Sequence, residues 1–238
     1  MDFLPHVLYI NLANRTDRKQ NIESQFSWWP QEKIHRIEAI KEIDGALGCG
    51  KSHLKALDYA RTIDSEYIMI IEDDFQWTMD KDMVQQKLRQ SLQETEIEWN
   101  MITLSVSFEN SVPTCNDFIR KLVTHKHCNQ TTTGYIIKKT YIDTLYNHWL
   151  ITVNQRIWVN SLQLKKILVS KPSRIGRYGK IIFNNYYVTP DLVMLQKTTC
   201  IDQSWKTLQN DKWYIISPQL AKQYPNYSDI EQKFVSNF

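Results

Sequence analysis

The stretch YIMIIEDD, residues 67–74, decides the fold of this 238-residue chain. Its first five residues form a continuous apolar run, which is typical of a β-strand that other elements cover on both faces. Three acidic residues follow directly: Glu72, Asp73 and Asp74. Ligands of open α/β sheets bind beyond the carboxyl ends of the strands. The stretch therefore predicts a central strand with a binding site at its carboxyl end.

On both sides of this stretch, strand-like and helix-like segments alternate. Short apolar or alternating runs predict further strands at 7–12, 35–40, 100–106, 134–138 and 213–216. Helical spacing of apolar residues and polar openings predict helices at 14–26, 47–63, 79–92, 141–150 and 201–209. This alternation predicts an α/β sandwich with a mainly parallel sheet flanked by helices.

The segment 150–198 differs from the rest because it holds eight basic residues against one acid, Asp191. Its apolar content is too high for a disordered segment. We therefore predict a single domain over residues 1–238, with a basic lobe inserted at about 150–198. An acceptor-binding surface, a dimerisation element, a contact with a membrane surface and a solvated face all remain open as roles for it.

Composition limits the class of protein. The net charge of +3 is too mild to indicate a nucleic-acid-binding protein. The four cysteines are scattered without a C-x-x-C pair, which favours a reduced, cytoplasmic chain. The first 15 residues lack the basic region of a signal peptide, and no run of about 20 apolar residues predicts a membrane span.

The acidic cluster has the residue types of a metal site. Because side chains alternate along a strand, Glu72 and Asp74 are expected to point together while Asp73 points away. Crowded carboxylates repel one another, and a divalent cation with oxygen ligands, Mg²⁺ or Mn²⁺, relieves that repulsion and can bridge to phosphates. The alternative is an acidic turn in which Asp73 or Asp74 caps the next helix.

Residues 45–52, GALGCGKS, fit the pattern G-x-x-x-x-G-K-[ST] of a phosphate-binding loop. That motif needs a buried strand immediately before its first glycine, and residues 41–44 make a poor strand. A glycine-containing turn at the start of a helix is the alternative. A nucleotide hydrolase using Lys51 and Ser52 therefore stays open as a second hypothesis.

A third set of residues has the types of zinc ligands: Cys115, His125, His127 and Cys128. Their spacing lacks the two tight pairs of a structural zinc site. The segment THKHC, residues 124–128, also alternates like a partly exposed strand, which we take as the simpler interpretation.

Several blocks together resemble glycosyltransferase family 25. The early blocks are VLYINLANRTDRK, IHRIEAI, ALGCGKSHLKALDYA and YIMIIEDD. The later ones are TTTGYIIKK, IDQSWKTLQ and WYIISPQLAKQYPNYSDIE, and the resemblance covers about residues 7–149 and 200–231 in order. The family includes lipopolysaccharide-type sugar transferases, the glycosyltransferase part of collagen galactosyltransferases, and members in large DNA viruses.

The resemblance implies a GT-A-like, Rossmann-like fold, a metal-dependent inverting transfer of a hexose, and a UDP-sugar as donor, with galactose or glucose as the sugar. It implies Mn²⁺ or Mg²⁺ as the cofactor and a hydroxyl of a glycan, glycolipid or glycoprotein as acceptor. A viral member would work in the host cytoplasm or the virion. No nucleic acid is expected as a partner, and a homo-oligomer and a peripheral membrane contact through the basic lobe stay open.

The resemblance also implies roles for individual residues. Asp74 is the expected metal ligand, and Glu72 helps at the metal or the ribose, although motifs of this fold usually open with Asp. Asp73 completes the acidic motif. Residues of the first-strand block lie near the nucleotide in this fold: Asn11, Leu12, Arg15 and Arg18.

Two further blocks supply the remaining site residues. Ser52 and His53 match the family's Ser-His pair, which makes Lys51 and Ser52 part of that block rather than of a phosphate loop. Asp202 is the candidate general base that takes the proton of the acceptor hydroxyl, and a helix N-cap is its alternative role. A non-catalytic module that binds glycans or nucleic acid is a further alternative function.

Overall fold

The computed structural model describes residues 3–161, 195 and 197–224, together with short strand segments at 174–175, 181–183, 186–188, 226–228 and 233–235. The strands, numbered β1 to β15 along the chain, are His6–Asn11, Ile34–Glu38, Tyr67–Glu72, Phe75–Trp77, Met101–Thr103, Ser111–Pro113, Ile119–Leu122, Gly134–Lys138, Arg174–Ile175, Ile181–Phe183, Tyr186–Val188, Trp213–Ile216, Ala221–Gln223, Asn226–Ser228 and Lys233–Val235. The helices, numbered α1 to α5, are Thr16–Gln25, Gly45–Thr62, Lys81–Leu92, Ile142–Val159 and Ile201–Ser204.

Eight strands form the central sheet, in the order β2-β1-β3-β8-β5-β12-β7-β6. Strands β1, β2 and β3 are parallel to one another, as are β5 and β12. Strand β8 runs antiparallel to both of its neighbours, and β7 runs antiparallel to β12 and β6. The predicted α/β class is confirmed, but the sheet is mixed rather than mainly parallel. An apolar run carries no signal for strand direction, so the sequence pattern missed these two reversals.

Helices cover both faces of the sheet, which explains the continuous apolar run of β3. Ile68 and Ile70 pack on the face covered by α2 and α4, in one core cluster with Leu57 and Trp149. Met69 and Ile71 point to the other face and pack with side chains of α1 and α3 in a second cluster. The four central positions of the strand, 68–71, are therefore fully buried, as its composition predicted.

Helix α2 places the GALGCGKS segment. Asp44 caps the helix by accepting from the amides of Ala46 and Leu47, and the helix begins at Gly45. The amides of the segment are therefore committed to a helix, so it does not form the phosphate-binding loop. Gly48 and Gly50 allow close packing instead: a Cβ at Gly48 would lie 2.6 Å from the carbonyl oxygen of Ile40, and one at Gly50 would lie 2.8 Å from a methyl group of Val153.

Two boundaries differ from the sequence-based predictions. Helix α4 continues to Val159, so the first ten residues assigned to the basic lobe complete a helix of the domain. Residues 124–128 form no strand, and a turn occupies residues 126–127. The basic side chains of the lobe from Lys165 to Lys180 lie outside the described residues, which there include only the backbone of the antiparallel strands β9, β10 and β11. In the described part of the chain, no helix is both long and apolar enough to cross a membrane.

Candidate functional site

A cleft of about 470 Å³ opens where β1 and β3 end. Its walls come from the ends of these strands, from the segment between β2 and α2, from the first turns of α2, and from Gln223 of β13. The residues lining it are Ile10, Leu12, Arg18, Ala39, Ile40, Lys41, Glu42, Ile43, Gly45, Gly48, Cys49, Ser52, His53, Glu72, Asp73, Asp74 and Gln223. The site therefore lies at the carboxyl edge that the sequence predicted, with one apolar wall and one acidic wall.

Asp73 is held in place by residues of the first-strand block. Its Oδ2 accepts from the amide of Asn11 across 2.8 Å, and its Oδ1 accepts from Nη1 of Arg18 across 2.7 Å. Asn11 is itself fixed, because its Oδ1 accepts from Arg36. Burial raises the pKa of Asp73, and the charge of Arg18 opposes that shift. Both carboxylate oxygens thus have donors, so Asp73 organises the site.

Asp74 faces a different environment. Its Oδ2 lies 3.7 Å from Nη1 of Arg18, while its Oδ1 is buried and has no hydrogen-bond partner among the described residues. Burial, followed by the charge of Glu72, raises the pKa of Asp74 to about 8. A buried carboxylate oxygen without a donor is well suited to binding a cation.

Glu72 belongs to a hydrogen-bonded cluster on the side of α2. Its Oε1 lies 3.1 Å from Nε2 of His53 and accepts from the hydroxyl of Thr132 across 2.5 Å. The thiol of Cys49 approaches the same oxygen at 3.9 Å. On the far side of the imidazole, Nδ1 lies 3.1 Å from the hydroxyl of Tyr135. Burial acts to raise the pKa of Glu72, but the hydrogen bond and charge of His53 outweigh it and lower that pKa.

The three acids do not alternate as expected. Strand β3 ends at Glu72, and Asp73 and Asp74 form the turn that leads to β4. Arg18 therefore reaches both aspartates, while Glu72 turns toward His53. The expectation that Asp73 points away from Asp74 is wrong, because strand geometry stops at Glu72 and Arg18 contacts both aspartates. Glu72 and Asp74 do lie close enough for the charge of Glu72 to raise the pKa of Asp74. The capping alternative is wrong as well, since a strand follows this turn in the described chain.

The other residues of the early blocks divide into two groups. Leu12 lines the cleft, whereas Arg15 forms an ion pair with Asp17 and is not among the cleft residues described here. Ser52 has a structural role: its hydroxyl donates to the carbonyl of Gly48 and accepts from the amide of Ile40. Lys51, the lysine of the phosphate-loop pattern, pairs with Glu42 at 2.6 Å.

Asp202 lies in the first turn of α5, which Cys200 caps. The N-cap alternative for Asp202 is therefore wrong. Its Oδ2 accepts from the side chain of Gln203, and burial raises its pKa, with a further contribution from the charge of Glu72. The fold thus brings Asp202 into the electrostatic field of the acidic cluster, although it does not line the described cleft.

The zinc-like set from the sequence does not assemble as a group. Cys128 Sγ lies 3.3 Å from Nδ1 of His125, whereas Cys115 is exposed and joins no metal-ligand group in the described part of the chain. Cys49, His53 and Glu72 instead bring one ligand atom each within 4.8 Å of one another. The C-x-x-x-H spacing of Cys49 and His53 on one helix face was the signal that could have indicated this group.

Comparisons with known proteins add little. No family model matches the chain, and no curated protein matches it. Among solved structures, A197 from STIV is similar over 98% of this chain and 93% of that chain, with a TM-score of 0.42 and 9% identity. HddC from Yersinia pseudotuberculosis is similar over 60% of each chain, with a TM-score of 0.28 and 18% identity. These similarities are too low to assign a family, a substrate or an activity.

Proposed function

We infer that the protein is a metal-dependent glycosyltransferase of the GT-A type, related to family 25, that transfers a hexose from a UDP-sugar. The observation that carries this proposal is Asp74 Oδ1, a buried carboxylate oxygen that lacks a hydrogen-bond donor among the described residues. It lies at the carboxyl edge of the sheet, in the block whose sequence resembles the acidic motif of the family. The second support for the proposal is that the resembling blocks occur along the chain in the same order as in the family.

The acidic wall of the cleft supports a metal-bridged ligand. The ionised carboxylates of Glu72 and Asp73 repel a diphosphate, and Asp74 adds to that repulsion once it has lost its proton. Arg18 is a cation that contacts the two aspartates. The carboxylates would hold a divalent cation, whose charge would offset that repulsion. Asp74 would hold Mn²⁺ or Mg²⁺ through Oδ1, and Glu72 would add its charge and a carboxylate oxygen. Bound there, the cation supplies stabilisation of the negative charge that develops on the leaving diphosphate.

The protein's own residues would perform the remaining tasks. The apolar wall formed by Leu12, Ala39 and Ile40 would pack against the nucleoside, while Asn11 and Arg18 keep Asp73 in position. Asp202 would accept the proton of the acceptor hydroxyl, because its raised pKa makes it a better base than an exposed carboxylate. Attack from the face opposite the diphosphate would then invert the anomeric carbon.

A donor panel tests the proposal. The full chain is incubated with Mn²⁺ and each UDP-, GDP- and CMP-sugar, with ATP and GTP alongside, and release of the nucleotide is measured. We expect one UDP-sugar to be turned over, with activity reduced at least a hundredfold in Asp74→Asn. Asp143→Asn is the matched control, because its carboxylate is exposed and pairs with Arg61 on α2.

Binding provides a readout that does not need an acceptor. UDP with Mn²⁺ is expected to raise the melting temperature of the wild-type chain and of Asp143→Asn, but not that of Asp74→Asn. Turnover of ATP or GTP alone would contradict the proposal and favour a nucleotide hydrolase. Absence of both turnover and a melting shift would favour the non-catalytic binding module.

A further inference from the structure

Cys49, His53 and Glu72 form a compact three-ligand group between α2 and the end of β3. His53 Nε2 lies 3.1 Å from Glu72 Oε1, Cys49 Sγ lies 3.9 Å from the same oxygen, and all three ligand atoms lie within 4.8 Å of one another. Bond lengths of about 2.0–2.3 Å at tetrahedral angles place neighbouring zinc ligands about 3.4–3.6 Å apart. The group therefore needs only side-chain adjustments to enclose an ion.

The chemistry of the three ligands differs from that of the aspartates. A thiol, an imidazole and a carboxylate together favour Zn²⁺ over Mg²⁺ or Mn²⁺, which prefer oxygen ligands alone. Cys49 and His53 lie one helical turn apart on α2, so that one rigid element presents two of the ligands. All three residues line the cleft, so a fourth position of the ion would face the ligand space.

Neighbouring residues already orient the ligands. The hydroxyl of Tyr135 lies 3.1 Å from Nδ1 of His53, where it can accept a hydrogen bond from Nδ1–H, the tautomer that leaves Nε2 unprotonated and able to bind a metal. The hydroxyl of Thr132 donates to Glu72. Metal-binding histidines commonly donate their second ring N–H in this way, and ligating carboxylates are commonly hydrogen-bonded.

We propose that Cys49, His53 and Glu72 form a binding site for one Zn²⁺ ion, which shares Glu72 with the oxygen-ligand site at Asp74 and adds two ligands that the Asp74 site does not use. The ion would join α2 to the end of β3 and would leave one coordination position facing the cleft. This proposal does not rest on the proposed glycosyltransferase function, since zinc binding needs neither a nucleotide nor a sugar.

The test measures metal binding by the full chain after chelator treatment and dialysis. Titration with Co²⁺, which reports thiolate ligation by absorption in the near ultraviolet, is expected to saturate at one ion per chain. Zn²⁺ is expected to displace it and to raise the melting temperature by about 5–10 °C at a hundredfold excess over the dissociation constant. In Cys49→Ser, we expect the thiolate absorption to vanish and the melting shift to fall below about 1 °C.

Cys128→Ser is the matched control. The sulfur of Cys128 lies 3.3 Å from Nδ1 of His125. In the described part of the chain, a metal bound by Cys128 and His125 would therefore be the alternative origin of a thiolate absorption band. The proposal requires Cys128→Ser to bind Zn²⁺ as the wild type does. Loss of binding in Cys128→Ser, its persistence in Cys49→Ser, or no Zn²⁺ bound by the wild type would each overturn it.

A measurement on the unmodified chain covers the case in which Cys49→Ser fails to fold. Zn²⁺ is expected to protect Cys49 from alkylation by iodoacetamide at least tenfold, as measured by peptide mass spectrometry, while the exposed Cys115 reacts equally with and without the ion. Equal protection of both cysteines, or of neither, would contradict the site. Zinc binding without sugar-nucleotide turnover would leave this inference standing and contradict only the proposed function.

Discussion

Arg18 and Asp73 form a short ion pair, with 2.7 Å between Nη1 and Oδ1, and each side chain is about nine-tenths buried. The pair joins α1 to the turn after β3. The same nitrogen lies 3.7 Å from Asp74, so one guanidinium offsets the charge of two adjacent carboxylates. The charge balance of the candidate site therefore depends on a residue 55 positions earlier in the chain.

Arg18→Ala is expected to destabilise the protein and to make its stability depend on a divalent cation. Removal of one partner from a buried ion pair costs about 3–5 kcal/mol, because the other charge stays buried. We expect the free energy of unfolding to fall by about 3 kcal/mol in urea without metal, and Mn²⁺ to restore part of that loss.

Lys212→Ala is the control for this measurement, because the pair of Lys212 and Glu98 is exposed. Exposed pairs contribute about 0–1 kcal/mol. Equal destabilisation by the two substitutions, or no effect of Mn²⁺ on Arg18→Ala, would contradict the role given to Arg18.

Asp44→Asn is expected to reduce stability near neutral pH but not in acid. Arg156 donates to both oxygens of Asp44, across 2.7 and 2.9 Å, and Asn160 donates a third hydrogen bond. Burial acts to raise the pKa of Asp44, but these hydrogen bonds outweigh it, and the pKa is lowered in the folded protein.

A lowered pKa in the folded state means that the charge of Asp44 stabilises the fold above the ordinary pKa of aspartate, about 3.9. That stabilisation is lost as the pH falls through the lower pKa of the folded state. Asparagine caps a helix about as well as aspartate, so the substitution isolates the charge. In urea at pH 7, the free energy of unfolding of Asp44→Asn should be about 2–3 kcal/mol lower than that of the wild type. This difference should shrink below about pH 4. A difference that is constant with pH would contradict this account.

Gly48→Ala is expected to destabilise the protein although alanine favours helices. The added Cβ would meet the carbonyl oxygen of Ile40 at 2.6 Å and the amide nitrogen of Glu42 at 3.2 Å, and both are backbone atoms. We expect a loss of about 2 kcal/mol, since overpacking costs about 1–3 kcal/mol and exceeds the gain of about 1 kcal/mol in helix propensity.

Gly50→Ala tests whether the close approach to backbone is the cause. Its Cβ would meet methyl groups of Val153 and Ile201, at 2.8 and 3.3 Å, and these side chains can shift. The melting temperature of Gly48→Ala should therefore be lower than that of Gly50→Ala. The reverse order would show that side-chain crowding decides the cost.

Asp202→Asn is expected to abolish sugar transfer while leaving the binding of UDP and Mn²⁺ unchanged. If Asp202 is the base, kcat/KM falls as the pH drops through its pKa, because only the carboxylate accepts the proton. Burial raises that pKa, so the acid limb should lie above the ordinary value of about 3.9. A pH–rate profile of the wild type, with calorimetry of UDP binding to Asp202→Asn, checks both parts. Transfer that persists in the variant would exclude Asp202 as the base.

Local patterns predicted the elements well where a strand is buried on both faces. The predicted strands at 134–138 and 213–216 match β8 and β12 at both ends, and the predicted run 67–71 ends one residue before β3 does. Sequence patterns missed the short strands β4, β6, β7 and β13. Each has only three or four residues and is held as a strand by pairing with a neighbouring strand, which a local pattern does not show. The reversed direction of β8 was missed because an apolar run carries no signal for strand direction.

The candidate site was predicted in part. The acidic stretch at the carboxyl end of β3 pointed to the cleft, and the resembling blocks supplied Asn11, Arg18 and His53. Sequence reasoning missed Cys49 and the supporting hydroxyls of Thr132 and Tyr135. The hydroxyls lie 60 and 82 positions from the groups that they contact, and no local period relates such residues.

The sequence by itself determined the α/β class, the buried central strand and the edge at which the acidic residues collect, because these follow from short-range patterns of apolar and charged residues. Only the tertiary structure decided what each acid does. Arg18 reaches Asp73 and Asp74, whereas His53 and Thr132 take Glu72, and this division arises because packing of α1, α2 and β8 around β3 brings distant donors to neighbouring carboxylates.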